Sequence, residues 1–205
     1  MGEVRWQKTV GPAEITKLSV GSMDNNIYIV TVGRDVVSVD GGSNEADFVL
    51  GRLGDRRLGA ILQTHNHSDH VVTLPDVVAK TGAKVYAHPD DPLPVEAEAI
   101  GDAAVVTGAG DLEISVLHTP GHSPGSVCFL LAEAGESHLF AGDTLFPGGP
   151  GNTFGNAEAF ATIIRSLEEK LFVLPDETHV YPGHGDDTTI GAERPHLGEW
   201  RERGW

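Results

Sequence analysis

The sequence is poor in cysteine and in positive charge. Its 205 residues include one cysteine, so no disulfide can form within the chain. Lysine and arginine number 14 against 30 aspartate and glutamate residues, which gives a formal net charge of −16. Because phosphate contacts need a cationic face, this balance argues against nucleic acid or an anionic membrane surface as a partner. The single Cys128 lies in an apolar run and is predicted to be buried rather than reactive.

Long apolar segments are also missing from the sequence. No run reaches the roughly 18 residues that a membrane-spanning helix needs, and the first residues lack the apolar core of a signal peptide. A cytoplasmic location and no membrane partner are therefore expected. Hydrophobic residues make up 40% of the chain, which suits a folded protein with a large core. We predict one domain over residues 1–205.

The order of predicted elements indicates an α/β protein with two similar halves. Residues 4–40 are rich in β-branched residues and are predicted to form strands, and a second β-rich half begins near Ala104. A helix is predicted to end near Leu53, with Ser43 or Asn44 as its N-cap. Further helices are predicted over residues 69–80, with an interruption at Pro75, and over 156–172 and 191–200, and a last strand is predicted over 177–181. This order favours two sheets packed face to face with helices outside.

Histidine is frequent, at ten residues, and three of the ten lie in one short motif. The segment THNHSDH, residues 64–70, places four potential metal ligands within six residues, directly after a predicted strand. Such a cluster can serve two neighbouring ions, one bound by His65 and His67 and the other by Asp69 and His70. A single histidine in a loop is usually only a polar residue, but this group favours a metal site.

Three more potential ligands follow predicted strands, namely His122, Asp143 and His184. Each lies beside glycine or proline, which let the backbone turn tightly and approach an ion closely. Of the remaining histidines, His118 precedes the turn of His122 and is a candidate to hydrogen-bond a metal ligand. The others are expected to be solvated or packed residues without a role at the site: His88, His138, His179 and His196.

The seven candidate ligands, in this order, resemble the motif set of the metallo-β-lactamase superfamily over nearly the whole chain. The resemblance is closest to the hydroxyacylglutathione hydrolase (glyoxalase II) branch, because Thr64 precedes the first histidine and Thr144, Leu145 and Phe146 follow the aspartate. It implies a four-layer αββα sandwich, with two mixed β-sheets face to face and the metals at one edge between them.

The resemblance also implies how the ligands divide between two divalent ions. One ion would take His65, His67 and His122, the other would take Asp69, His70 and His184, and Asp143 would bridge them. Zinc is the first expectation for nitrogen and oxygen ligands, and iron or manganese would accept the same set. Asp69 is the predicted catalytic residue, which would orient the attacking hydroxide or accept its proton.

This ligand set predicts a hydrolase in which a metal-bound hydroxide attacks a carbonyl carbon. The resemblance implies that the substrate is a small-molecule thioester, or a related ester or lactone. Where the glyoxalase II branch often has a lysine and an aromatic hydroxyl for the glutathione tail, this chain has Asn152 and Phe154, the candidate substrate contacts. The loss of a cation favours a thiol other than glutathione. The alternative is a persulfide dioxygenase-like oxidoreductase with one iron at His65, His122 and Asp143.

Overall fold

A computed structural model describes residues 2–42 and 45–204 and places most strands in two sheets. The first sheet has seven strands in chain order: β1 (Glu3–Val10), β2 (Ala13–Val20), β3 (Asn25–Val32), β4 (Asp35–Val39), β5 (Arg57–Leu62), β6 (Lys84–Ala87) and β7 (Glu98–Ala99). Its first four strands pair antiparallel and β4 to β7 pair parallel. The first sheet is therefore mixed, as predicted.

The second sheet has six strands in the order β15-β14-β11-β10-β9-β8. Their bounds are β8 (Val105–Gly108), β9 (Leu112–His118), β10 (Val127–Glu133), β11 (Glu136–Gly142), β14 (His179–Pro182) and β15 (Thr188–Thr189). Between β11 and β14 the chain forms a small ribbon of β12 (Leu145–Phe146) and β13 (Gly149–Pro150). Because β11 and β14 pair parallel, their carboxyl ends lie at the same edge of the sheet.

The helices are α1 (Ala46–Leu53), α2 (Ser68–Val71), α3 (Leu74–Thr81), α4 (Ala157–Ser166), α5 (Ile190–Glu193) and α6 (Leu197–Arg203). A π-helical turn, Leu167–Leu171, extends α4, and a 3₁₀ turn, Arg194–His196, joins α5 to α6. None of the helices in the described residues is long and apolar enough to span a lipid bilayer.

A shared core holds the two sheets face to face. Tyr28 of β3 and Phe140 of β11 meet in it with ring centroids 5.2 Å apart. Successive strand residues point to opposite faces, so Ile29 packs under α1 and α3, and Leu139 packs under α4. Strands buried on both faces explain the nearly continuous apolar runs in the sequence. The layers are helix, sheet, sheet and helix, which confirms the predicted fold class.

Some predicted helix boundaries are wrong, for identifiable reasons. The helix predicted over residues 69–80 is two helices, with the break at Val72 and Thr73. Pro75 does not interrupt it, since it lies in the first turn of α3, where its missing N–H leaves no hydrogen bond unmade. Helix α1 begins at Ala46, and its predicted N-caps, Ser43 and Asn44, lie outside the described residues.

The C-terminal third follows the prediction more closely. Asn156 caps α4 by accepting hydrogen bonds from the backbone N–H groups of Glu158 and Ala159. The strand predicted over 177–181 is β14, but it is not the last strand, because β15 follows it. The predicted closing helix is divided into α5, the 3₁₀ turn and α6. Cys128 is fully buried, as predicted, and burial raises the pKa of its thiol to about 11.

Candidate metal centre

The fold brings all seven candidate ligands to one edge of the sandwich. His65 and His67 follow β5, and Asp69 and His70 lie in α2, which begins directly after that loop. The remaining three come from the second sheet: His122 from the turn between β9 and β10, Asp143 from the end of β11 and His184 from the end of β14. In the second sheet the parallel pairing of β11 with β14 places the carboxyl ends that lead to Asp143 and His184 side by side.

His65, His67 and His122, which we call the first trio, form a compact group of imidazoles. Each offers a ring nitrogen within 4.8 Å of the others. The ring centroids are 4.8 Å apart for His65 and His67 and 4.5 Å apart for His67 and His122, with the planes close to perpendicular. His65 and His122 are buried and His67 is half-buried. This geometry can surround one ion from three sides.

Asp69, His70 and His184, the second trio, are in closer contact with one another. The Nε2 atom of His184 is 3.2 Å from Asp69 Oδ2 and 3.1 Å from His70 Nε2. The same carboxylate oxygen is 3.5 Å from His70 Nε2. His70 is fully buried, whereas Asp69 and His184 are half-buried. The three donor atoms therefore converge on a point that solvent can reach.

Asp143 lies between the trios. Its Oδ2 atom is 3.5 Å from the Nε2 atoms of both His122 and His184, and its Oδ1 atom is 3.6 Å from His70 Nε2. A Cβ atom at Gly183 would lie 2.2 Å from Asp143 Oδ1, so only glycine leaves room for the carboxylate. A carboxylate that lies close to imidazoles of both trios can bridge two ions.

Two backbone carbonyls fix ring orientation, one in each trio. The Nδ1 atom of His122 donates to the carbonyl of Asn152 at 2.8 Å, and Nδ1 of His184 donates to the carbonyl of Met23 at 2.9 Å. Since a carbonyl can only accept, the neutral tautomer keeps its lone pair on Nε2, which faces the centre. Histidines that bind metals are commonly oriented in this way.

Asp40 supports both trios and was missed in the sequence. The residue is 2% exposed, and its Oδ2 accepts from His70 Nδ1 at 3.0 Å. Its carboxylate also accepts from the Thr64 hydroxyl, whose oxygen lies 3.0 Å from His65 Nδ1. The available signal was its place at the end of β4, which pairs parallel with β5. Sequence reasoning also missed Asn25, whose Nδ2 donates to Asp69 Oδ2 at 3.0 Å.

The histidines of the two trios differ in their affinity for protons. Burial, followed by the nearby His70, holds the pKa of His65 well below its ordinary value, and burial also lowers the pKa of His122. Burial opposes charge on His70, but its hydrogen bond with Asp40 and the surrounding carboxylates raise its pKa to about 9. Burial likewise opposes charge on His184, but Asp143 raises its pKa above the ordinary value. His65 and His122 are therefore favoured in the neutral form, which can donate a lone pair to an ion.

Burial alone would raise the pKa of Asp143, but the contact with His184 and the positive charge of His70 hold it well below its ordinary value. Asp143 is therefore a carboxylate, the form that binds a cation.

The donor set fits a pair of divalent ions. The Nε2 atoms of His65 and His122 and the Oδ1 atom of Asp143 are buried and have no hydrogen-bond partner among the described residues. Buried polar atoms are normally satisfied, so three such atoms facing one centre point to a ligand. Imidazole nitrogen and carboxylate oxygen suit zinc, iron and manganese. The side chains present are thus compatible with the metals expected from the sequence.

The two predicted substrate contacts lie beside the first trio. Phe154 is 68% exposed, with its ring centroid 5.7 Å from that of His67 and 5.8 Å from that of His122. Its φ of 55° is uncommon for an aromatic residue, and such backbone conformations concentrate at binding sites. The side chain of Asn152 accepts from the Phe154 N–H at 2.7 Å and so supports this conformation.

Two cavities flank the centre and meet at His122. One, of about 500 Å³, is lined by Pro120, Gly121, His122, Ser123, Pro124, Thr153, Phe154, Asn156, Ala159 and Thr162. The other, of about 400 Å³, is lined by His122, Asp143, Phe146, His184 and the segment 147–152. The lining of both is mostly neutral, and neither lining includes lysine or arginine.

The remaining histidines lie elsewhere. His118 does not hydrogen-bond any of the seven candidates in the described structure, so that prediction is wrong. Its Nε2 donates to the carbonyl of Pro124 at 3.0 Å, and its ring stacks on His88 with centroids 4.0 Å apart. His138 is fully buried beside the hydroxyl of Tyr181, as expected of a packed residue.

Comparison with known proteins gives a family match over most of the chain. The model described as metallo-beta-lactamase superfamily matches residues 20–184. Protein ML0493 of Mycobacterium leprae is 36% identical, over 88% of this chain and 95% of its own length. A hydroxyacylglutathione hydrolase of Pseudomonas entomophila is 35% identical, over 78% of this chain and 62% of the enzyme.

Solved structures give the same fold. ETHE1 from Myxococcus xanthus superposes with a TM-score of 0.77 and 29% identity, over 89% of this chain and 82% of that chain. The protein TTHA1623, solved in a di-iron-bound form, has a TM-score of 0.72 and 33% identity, over 86% of this chain and 95% of that chain.

Proposed function

The chain belongs to the metallo-β-lactamase superfamily, and on this premise we propose that it is a metal-dependent hydrolase of small-molecule thioesters. In this proposal the first trio holds one divalent ion, the second trio holds another, and Asp143 bridges them. The observation that carries the proposal is the set of buried donor atoms without partners, Nε2 of His65 and His122 and Oδ1 of Asp143, which face one centre. Zinc is the first candidate, and the di-iron form of TTHA1623 supports iron as an alternative.

The chemistry divides between the ions and the chain. Two divalent cations, when bound, would lower the pKa of a water molecule and polarise a carbonyl oxygen. In this proposal Asp69 would accept the proton of that water, and its half-buried carboxylate, held by a hydrogen bond from Asn25, supports this role. The one thiol, Cys128, is fully buried and does not serve as a nucleophile.

The substrate in this proposal is a thioester whose two arms carry no negative charge. Neither cavity beside the centre is lined by lysine or arginine, and the chain carries a net charge of −16. An anionic arm would therefore be repelled without a compensating contact. Phe154 and Asn152, at the boundary of the cavities, offer an apolar ring and a neutral amide. The similarity to a hydroxyacylglutathione hydrolase supports the reaction, whereas walls without lysine or arginine argue against glutathione as the thiol.

The direct test is metal analysis followed by a panel of substrates. Chelated protein should lose activity and regain it with zinc, manganese or iron, at two ions per chain. The panel holds the acyl group constant and varies the thiol between N-acetylcysteamine, glutathione and coenzyme A. We expect kcat/KM for the neutral thiol to exceed that for the anionic thiols at least about tenfold, equivalent to about 1.4 kcal/mol. Failure of metal-loaded protein to cleave any thioester, ester or lactone would overturn the proposal.

A charge substitution tests the choice of thiol. Relative to Asn152→Gln, which also lacks the asparagine side chain, Asn152→Lys should raise kcat/KM for the glutathione thioester and change that for the N-acetylcysteamine thioester by less than about twofold, because it adds a cation beside the cavity. The backbone carbonyl that accepts from His122 is retained in this variant. Asn152→Gln is the neutral control.

The same metal analysis decides the alternative, a persulfide dioxygenase-like centre with one iron at His65, His122 and Asp143. One iron per chain with oxygen uptake on a persulfide would favour it, and two ions without oxygen uptake would exclude it.

A further inference from the structure

We infer that Asp91 is a positioning residue that sets the geometry of the first trio by joining the loop of His65 and His67 to the turn of His122. The inference rests on the proposed metal centre. Asp91 is not a candidate ligand, and it lies in the loop between β6 and β7, away in the sequence from both segments that carry the first trio.

Asp91 is 2% exposed and sits between the two loops. Its Oδ2 atom accepts from the backbone N–H of Asn66 at 3.2 Å and from the hydroxyl of Ser123 at 2.5 Å. Its Oδ1 atom accepts from the backbone N–H of Gly125 at 2.8 Å. Asn66 stands between His65 and His67 in the chain, and Ser123 follows His122. One carboxylate thus connects the segments that present all three imidazoles.

The turn of His122 is packed directly against Asp91. A Cβ atom at Gly125 would lie 2.7 Å from the backbone nitrogen of Asp91 and 2.8 Å from its Cβ, so no larger residue fits there. The hydroxyls of Ser123 and Ser126 are 2.6 Å apart, which extends the network across the turn. A buried network in which each member has a partner holds a loop in one conformation.

The second trio does not depend on this carboxylate. Its members have their own partners, listed here by contact: Asn25 with Asp69, Asp40 with His70, and the Met23 carbonyl with His184. A change at Asp91 should therefore act on one ion and spare the other. The loops are also joined by the Val127 N–H to the Thr64 carbonyl at 2.9 Å, so the fold should survive the change.

Asp91→Asn is the informative variant because it preserves shape. All three groups around the carboxylate donate to it, two of them as backbone N–H groups that cannot reverse their role. An amide placed there must turn its own NH₂ toward either Gly125 N–H or Asn66 N–H. In either orientation one buried donor faces another donor, and one loop has to move.

The test measures the affinity of both ions by competition with a chromophoric chelator, using zinc and cobalt(II). Asp91→Asn should weaken one ion about 10- to 100-fold, the range seen when a group that orients a metal ligand is removed, and leave the other within about twofold. The cobalt(II) absorption that His122→Ala removes identifies the first-trio ion, and the same bands should change in Asp91→Asn. Asp90→Asn, at the exposed neighbouring position, should change neither ion.

The other possible results distinguish a failure of the proposed function from a failure of the role of Asp91. Wild-type protein that fails to bind two ions contradicts the proposed function itself. Wild-type protein that binds two ions, with unchanged affinities in Asp91→Asn, overturns the role of Asp91. Equal weakening of both ions with a lower melting temperature also overturns it, since that marks a merely structural residue. If Asp91→Asn does not fold, Ser123→Ala decides: it should weaken the first-trio ion in the same direction but less, and no change would overturn the inference.

Discussion

The two trios of the candidate centre are supported in different ways. In the second trio each side chain has a hydrogen-bond partner other than its fellow ligands, and Asp40 provides a carboxylate to His70. In the first trio, Nδ1 of His65 contacts the Thr64 hydroxyl and Nδ1 of His122 donates to the Asn152 carbonyl. The His67 ring has no hydrogen bond within the described residues and packs against the rings of His65, His122 and Phe154. Polar and charged side chains thus hold Asp69 and His70 of the second trio, whereas His67 of the first trio depends on the conformation of its loop and on the surrounding rings.

The largest effect on metal binding and hydrolysis should come from Asp143, the residue that contacts both trios. Asp143→Asn removes the negative charge that faces His122, His70 and His184, so both ions should bind more weakly. We expect kcat/KM to fall by more than about 100-fold, beyond the loss typical of a residue that only orients a ligand. Elemental analysis and thioester hydrolysis check this. Asp111→Asn, at an exposed turn, is the matched control. Two ions per chain with more than a tenth of wild-type activity would contradict the prediction.

A smaller and uneven effect is expected at Asp40, which bonds His70 directly and reaches His65 only through Thr64. In Asp40→Asn an amide facing His70 would donate to Nδ1 and so place the imidazole proton on Nε2, the tautomer that cannot bind a metal. We expect the second-trio ion to weaken about 10- to 100-fold and the first-trio ion to weaken less.

Chelator competition measures both affinities in this variant, and Asp35→Asn, at the exposed start of β4, is the control. Equal losses at both ions would show that the trios are not independently supported.

These supporting residues mark the limit of what the sequence could predict. Four of the seven candidate ligands lie within six residues, and the other three follow predicted strands beside glycine or proline, so local patterns were enough to find them. Asp40, Asn25 and Asp91 reach the centre only through strand pairing and loop packing. Their neighbours in the sequence give no sign of this, because the contacts span 24 to 44 positions.

The helices and strands also divide into those that local sequence patterns predicted and those that they did not. The four-layer fold was predictable because apolar runs and helical spacing are repeated along the chain. The strands β7, β12, β13 and β15 were not predicted, since each has only two residues and no periodicity can appear over that length. The break between α2 and α3 was predicted at Pro75 but lies at Val72 and Thr73, because these two residues carry no strong turn signal. Gly42 packs closely against α2 and α3 at this break, a contact that the local sequence does not reveal.

The smallest effect on the site should come from a histidine outside both trios. His138 lies at the start of β11, the strand whose other end leads to Asp143, and it is fully buried beside Tyr181, Glu136 and His179, with Lys8 nearby. Burial, followed by the charge of Lys8, lowers the pKa of His138 to about 4. His138→Gln should leave the rate of thioester hydrolysis at pH 7 within about twofold of the wild type. A buried histidine outside the centre would then differ from the histidines of the two trios, whose loss should reduce the rate.

The free energies of unfolding of the wild type and of His138→Gln should nevertheless depend differently on pH below about 6.5. Below the ordinary histidine pKa of about 6.5 the unfolded chain binds a proton at position 138, whereas the folded chain does not until about pH 4. The unfolded state therefore binds more protons in this window, and the free energy of unfolding of the wild type falls as the pH falls, by at most about 3 kcal/mol from this group. His138→Gln lacks this contribution. Urea unfolding at pH 7 and pH 5, with both proteins free of metal, should show a loss about 1 to 2 kcal/mol greater in the wild type. Parallel pH dependence in the two proteins would mean that His138 is protonated in the folded state as readily as in the unfolded state, contrary to its burial.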